Sequence, residues 1–231
     1  MMQQRAPRPA RLLISGFGPF PGVAVNASDG FAHVLAARAQ RQFPDAAVHA
    51  ATLPTDWYDA TRLLTRILDH EQPDVCLHFG VSARAQGFVI ETRARNRAAQ
   101  APDVKDMLPA RPVLVPGAPA SLSTRRVAAT AAARLVADGL PGVLSKSAGT
   151  YLCNAVFYQS LLAAREAGGA RAVLLVHLPD RIGAARRSTV SRPGAGRMSA
   201  AVAITGGLAL IDVCLSHWRA TTGTAVASAN C

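Results

Sequence analysis

The chain has 231 residues, half of them apolar and 17% charged, with 25 Lys+Arg against 14 Asp+Glu and a formal net charge of +11. That balance excludes a disordered chain, and the length with only four cysteines excludes a small disulfide scaffold; a chain of this size buries a large single core. The basic excess points towards a polyanion, but nucleic acid is not the expected partner: the cations are dispersed arginines (Arg62, Arg66, Arg84, Arg125, Arg126, Arg186, Arg187), Lys105 and Lys146 are the only lysines, and aromatics are only 5%.

In chain order, residues 1–10 read as a disordered leader. The apolar run at Leu12–Ile14 is too short for a signal peptide, and nothing later reaches the ~18 consecutive apolar residues of a membrane span, so a cytoplasmic protein off the membrane is expected. Residues 11–15 form a short strand ending in Gly16-Phe17-Gly18-Pro19-Phe20-Pro21-Gly22, a rigid turn. Asn26 or Ser28 caps a helix through Phe31, Val34 and Leu35. A strand at 47–53 closes at Pro54, a helix over 58–70 carries the stripe Leu63, Leu64, Ile67 and Leu68, and a buried strand follows at 74–80. Residues 88–91 read as a strand and 95–122 as loop. A helix over 123–138 is capped by Ser123 or Thr124 and stopped at Gly139. Then come a short strand at 143–147, a helix at 152–167, a strongly apolar strand at 171–178, a final helix at 199–218 and a flexible tail from 221 to 231.

Strands alternating with helices predict a single α/β domain over 11–220, with three α/β/α layers, a mainly parallel twisted sheet and a phosphorylase/hydrolase-like architecture. Ligands of such sheets gather at the carboxyl ends of the strands, and four segments qualify. The first-strand loop has two of the glycines of a dinucleotide fingerprint but Pro21 where the third belongs; it offers instead Phe17 and Phe20 on rigid backbone, as pocket wall or as core. Glu91, among Arg84, Arg93, Arg95 and Arg97, is either a solvated ion-pair member or a partly buried acid beside Phe88, Val89 and Ile90. Cys153 falls in the first turn of a helix, where free N–H groups and the helix dipole favour a thiolate and can hold an oxyanion; the alternative is an inert buried thiol. His177 ends the most apolar strand, as core residue or as base. Cys153, His177 and a carboxylate such as Glu91 would together be nucleophile, base and orienting acid of a thiol acyl-transfer enzyme. Cys76, Cys153, Cys214 and Cys231 have no paired spacing, so neither a zinc nor a thioredoxin pattern results.

Over residues 11–215 these segments resemble the pyroglutamyl peptidase I family. Gly16-Phe17-Gly18-Pro19-Phe20 is similar to its Gly-Phe-x-Pro-Phe loop, Asn26-Ala27-Ser28 to its Asn-Pro-Ser, and Pro54-Thr55 to the Pro-Thr after its second strand. His78-Phe79-Gly80-Val81-Ser82 resembles the mammalian strand end, Glu91–Asn96 the Glu-x-x-x-x-Asn segment, Ala148–Asn154 the nucleophile motif and Val176-His177-Leu178-Pro179 the histidine strand. The resemblance implies a cysteine peptidase that removes N-terminal pyroglutamate from peptides without cofactor or metal. It implies Cys153, His177 and Glu91 as catalytic residues, and Phe17, Phe20, Asn26, Thr55, Tyr151 and Leu152 as the substrate-binding set. The sequence departs from the bacterial pattern at Val81, where Gln is usual, before Pro102-Asp103, where an arginine is usual, at Tyr151, where Phe is usual, and throughout 92–122. The competing readings are another amide hydrolase, similar to peptidyl-tRNA hydrolase, and a basic nucleic-acid-binding protein with a decayed site. Association into a homo-oligomer is left open.

Overall fold

The computed structural model describes residues 8–20, 22–166, 169–183 and 197–228. In chain order the elements are β1 (Ala10–Phe17), α1 (Ala27–Gln42), β2 (Ala46–Leu53), α2 (Trp57–Glu71), β3 (Val75–Val81), β4 (Phe88–Glu91) and β5 (Arg93–Arg95). Then follow β6 (Ser121–Ser123), α3 (Arg125–Ala137), β7 (Gly142–Ser145), α4 (Leu152–Ala163), β8 (Ala172–Leu178), β9 (Arg181–Ile182), β10 (Arg197–Met198) and α5 (Ala200–Ser228).

Six strands make the central sheet in the order β2-β1-β3-β8-β4-β7. β1, β2, β3 and β8 run parallel; β4 pairs antiparallel with β8 and parallel with β7, so the last two strands are reversed. The strict two-residue alternation of a strand sorts its side chains between two cores. Leu12 and Ile14 of β1, Leu77 and Phe79 of β3 and Leu174 and Val176 of β8 pack with residues of α1, α3 and α5. Leu13, Cys76, Val173 and Leu175 face the other way, into the cluster that holds the buried sides of α2 and α4. The three-layer, mainly parallel architecture expected from the sequence is therefore present.

Several boundaries differ for local reasons. Arg8 bonds both carboxylate oxygens of Asp74 at 2.7 Å, and Ala10 is buried opposite Ala46, so residues 8–10 belong to the domain rather than to a leader. Residues 1–7 lie outside the described residues. β1 continues through Gly16 and Phe17 because the start of α1 lies directly on it: a Cβ at Gly16 would stand 2.2 Å from the carbonyl oxygen of Ser28. Val34 is 52% exposed, so it is not part of the α1 stripe that buries Phe31 and Leu35. Ser123 belongs to β6, which pairs with β5 across the two ends of the stretch expected to be loop. Thr124 occupies the N-cap position of α3 but gives its hydroxyl to Val173 O at 2.8 Å.

The helix expected to run to 167 ends at Ala163, and residues 167–168 lie outside the described residues. α5 continues to Ser228, so the expected tail at 221 is helical up to there; residues 229–231 lie outside the described residues. The segment Ala200–Thr222 has the length and apolar content of a membrane span, with mean hydropathy 1.6, and half of it is buried within the protein. Its buried residues Leu210, Ile211, Cys214 and Leu215 are core, as in the central helix of a globular domain.

Candidate active site

β8 alternates Leu174 and Val176 into one core and Val173 and Leu175 into the other, so His177 emerges on the α4 side. In the antiparallel register Val89 faces His177 and Glu91 faces Leu175, which makes Glu91 the diagonal neighbour of His177 on that side. The reach is short: His177 Nδ1 lies 2.9 Å from Glu91 Oε1. Glu91 is only 2% exposed, and its Oε2 is buried without a partner among the described residues. A carboxylate so enclosed is held mainly by its one imidazole.

The opposite side of the imidazole meets Cys153. Gly80 pairs with His177 in the parallel register of β3 and β8. A Cβ added at Gly80 would lie 2.8 Å from Cys153 Sγ, 3.1 Å from His177 Cδ2 and 3.4 Å from His177 Nε2. The bare α-carbon is thus the floor on which thiol and imidazole meet. Burial pushes the His177 imidazolium down, but hydrogen bonds to Cys153 and Glu91, with the charges of both, outweigh it and hold it up to about 10. Cys76 and Cys214, by contrast, are fully buried thiols pushed up by desolvation, Cys214 to about 12.

Cys153 is the second residue of α4. The first helical bond is donated by Ala155 to Tyr151 O at 3.1 Å, so the N–H groups of Leu152, Cys153 and Asn154 have no helical acceptor. No side chain caps this end, whereas Asn26 caps α1 and Asp56 caps α2. Two buried polar ties hold α4 in place. Asn154 accepts the Arg95 N–H at 2.8 Å and donates to Arg95 O at 2.9 Å and Arg97 O at 3.1 Å. Two turns after Cys153, on the same helical side, Ser160 bonds His78 Nε2 at 2.8 Å, and His78 Nδ1 bonds Ser15 Oγ at 2.7 Å. His78 and Gly80 alternate on β3 as Ser160 and Cys153 do on α4, forming two rungs between helix and strand.

The structure therefore brings Cys153, His177 and Glu91 together, and sorts the expected substrate-binding residues into different roles. Tyr151 is half-buried; its hydroxyl donates to Pro102 O at 3.0 Å, and its ring meets Trp57 edge-on at 5.1 Å. Phe20 is half-buried and bridges Val23. Phe17 is 3% exposed, in the α2/α4 core cluster, and Leu152 is buried in the same cluster, so the exposed part of Leu152's contribution is its backbone N–H. Asn26 donates to Gly18 O at 3.0 Å and accepts from Ser28 N–H at 3.1 Å and Ser28 Oγ at 2.8 Å. The Thr55 hydroxyl donates to Pro19 O. Asn26 and Thr55 thus shape the first loop through these bonds.

Two residues were missed by the sequence reading. Trp57, signalled only as an aromatic at the start of a helix, donates Nε1–H to Ala101 O at 3.0 Å. Asp103 accepts the N–H groups of Trp57 at 2.9 Å, Lys105 at 2.8 Å and Met107 at 3.0 Å. Although burial opposes it, those bonds and Lys105 hold the Asp103 carboxyl below its ordinary value. With Ala99 N–H on Thr150 O at 2.7 Å, they fasten the 96–107 stretch beside the nucleophile loop. Among the described residues no group of three His, Cys, Asp or Glu side chains could hold a metal.

Comparison with known proteins places this geometry. A family model described as pyroglutamyl peptidase matches residues 10–210. The chain is 30% identical over 210 residues to a pyrrolidone-carboxylate peptidase of Gloeobacter violaceus, covering 90% of this chain and 98% of that protein. It is 36% identical over 170 residues to one from Chromobacterium violaceum, covering 73% and 77%. A solved mutant pyrrolidone carboxyl peptidase from Pyrococcus furiosus superposes with a TM-score of 0.77 at 26% identity, over 89% of this chain and 98% of that one.

Proposed function

The chain belongs to the pyroglutamyl peptidase family, and from that premise we infer that it is a cysteine peptidase hydrolysing the bond after an N-terminal pyroglutamyl residue, with Cys153 as nucleophile, His177 as acid–base and Glu91 as the orienting acid. The observation that carries the residue assignment is the approach of Cys153 Sγ and the His177 ring over Gly80, with Glu91 Oε1 at 2.9 Å behind the ring.

The raised imidazolium of His177 favours a thiolate–imidazolium pair at neutral pH. The thiolate attacks the pyroglutamyl carbonyl, and its C–S bond forms as the carbonyl electrons move onto oxygen. The free N–H groups at the start of α4 lie where that oxyanion develops, an interaction typically worth about 3–4 kcal/mol. His177 gives its proton to the departing amine as the C–N bond breaks. Neutral His177 then takes a proton from water, which attacks the thioester; the acid leaves and the thiolate–imidazolium pair returns. Glu91 accepts from His177 Nδ1 and fixes the ring.

Tyr151, Phe20 and Trp57 offer the aromatic surface for the flat, uncharged lactam, and the 96–107 stretch closes over them. The substrates are peptides blocked by pyroglutamate, and the setting is the cytoplasm. Purified protein should release a fluorophore from a neutral pyroglutamyl amide, and Cys153→Ala should abolish release. Release unchanged by Cys153→Ala would refute the assignment of the nucleophile.

A further inference from the structure

The chemistry above makes no use of the positive charge, yet part of that charge is gathered beside the nucleophile. From β5 onward the chain alternates strictly: Ala94, Asn96 and Ala98 are buried, Arg93 is half-buried, and Arg95 and Arg97 are exposed. Alternate residues of an extended chain stand about 7 Å apart on one side. Thr92, just before this row, draws in two more cations. Its carbonyl accepts from Thr124 N–H at 3.1 Å and Ser123 Oγ at 2.9 Å, and its own N–H and hydroxyl reach Ser145 O at 2.8 Å. Arg126 and Lys146, both exposed, therefore stand within two residues of atoms bonded to Thr92.

At its other end the row is fastened to the catalytic helix, because Asn154, the residue after Cys153, holds the backbone of Arg95 and Arg97. Elsewhere Arg8, Arg62, Lys105 and Arg134 each meet a carboxylate. Among the described residues Arg93, Arg95, Arg97, Arg126 and Lys146 meet none.

We propose that this row of cations, running from Lys146 and Arg126 along β5 to Asn154, is a docking track for acidic residues of the substrate peptide downstream of its pyroglutamyl end. The proposal rests on the peptidase reading of the Cys153 site. A peptide cleaved at Cys153 must carry the rest of its chain across the surface next to α4. An extended peptide repeats its side chains at the spacing of the row. Arg93, Arg95 and Arg97, at about 7 Å spacing, stand within one Debye length of the next, about 8 Å at physiological salt, so their fields add and steer anionic ligands. Single-stranded nucleic acid has phosphates of similar pitch, but residues 93–97, 121–126 and 145–146 contain no aromatic side chain on which a base could stack.

The test compares fluorogenic pyroglutamyl peptides whose later residues are Glu, Gln or Lys, at low and high salt. The Glu peptide should exceed the Gln peptide about tenfold in kcat/KM at low salt, through KM, and lose that lead at high salt. Combining Arg93→Gln and Arg95→Gln should bring the two within about twofold while leaving the Gln peptide's turnover unchanged; Arg95→Gln alone serves if the double variant does not fold. Anisotropy of the same labelled peptides on Cys153→Ala reads the track without turnover. Absence of all hydrolysis thus strikes the peptidase reading, whereas equal affinity for Glu and Gln peptides overturns the track. An acidic preference that survives in the variant also overturns it, as does a single-stranded oligonucleotide that binds the row more tightly than the Glu peptide.

Discussion

Gly80 carries no reacting group, yet the catalytic pair rests on it. A methyl there would meet Cys153 Sγ at 2.8 Å and His177 Cδ2 at 3.1 Å, both closer than ordinary contacts. One of the two must turn away. Gly80→Ala should therefore fold and bind substrate with nearly the original KM while kcat falls at least about a hundredfold, as a displaced nucleophile demands; steady-state kinetics alongside a thermal melt separate this from unfolding. At the same scale, His177 is held up to about 10 by Cys153 and Glu91 against burial. The protonated form must persist to donate to the leaving amine, so kcat/KM should decline on the alkaline side only as pH approaches 10. Glu91→Gln removes one of the interactions that raise it and should draw that alkaline limb to lower pH, read from a pH–rate profile.

α4 converts these atomic distances into a rigid arrangement. Its polar ties, Asn154 to β5 and Ser160 to His78, fix the helix along and above the sheet. Asn154→Ala leaves the Arg95 N–H and two carbonyls without their partner, which costs about 1–3 kcal/mol for each group left buried and unsatisfied. It should lower the melting temperature and loosen the 96–107 stretch, raising KM more than it lowers kcat.

The sequence made part of this element-scale order readable. Cys153 stood out because a strand ends and an apolar helix opens there, and His177 because it ends the most apolar strand. Glu91 was harder, since its place depends on β4 running against β8, and nothing in four residues of alternating chain announces direction. β5 and β6 were missed for a similar reason: three residues of Arg-Ala-Arg and Ser-Leu-Ser have no periodic signature, and only pairing with each other makes them strands. The bonds that tie Asn26 to Gly18 O and Thr55 to Pro19 O were not legible either, because a motif does not reveal what a side chain bonds within its own loop.

For the whole molecule, two histidines on the α4 side of the sheet set opposite limits of stability. In the unfolded chain both titrate near 6.5. Burial pushes His78 down to about 3, so as pH falls below 6.5 the unfolded chain takes up a proton that the folded state refuses, and stability is lost down to that value. His177 is raised, so its contribution is complete below 6.5 and disappears as pH climbs towards 10. Chemical denaturation across pH should give a maximum near 6.5, and Ser15→Ala with Ser160→Ala should lower stability at neutral pH by leaving the buried imidazole unbonded.

The enclosed Glu91 also bears on how such a protein can drift. Among the described residues its partner is His177, and its other oxygen is buried without one. Loss of the base strands a charge in the interior, typically a penalty of about 3–5 kcal/mol and a large share of a domain's total stability. A lineage released from selection for peptide cleavage therefore cannot discard His177 first and keep a sound fold. The acid must be neutralised before or together with the base, whereas Cys153 can be lost at any time. Silent descendants of this scaffold should keep the histidine and glutamate long after the thiol is gone.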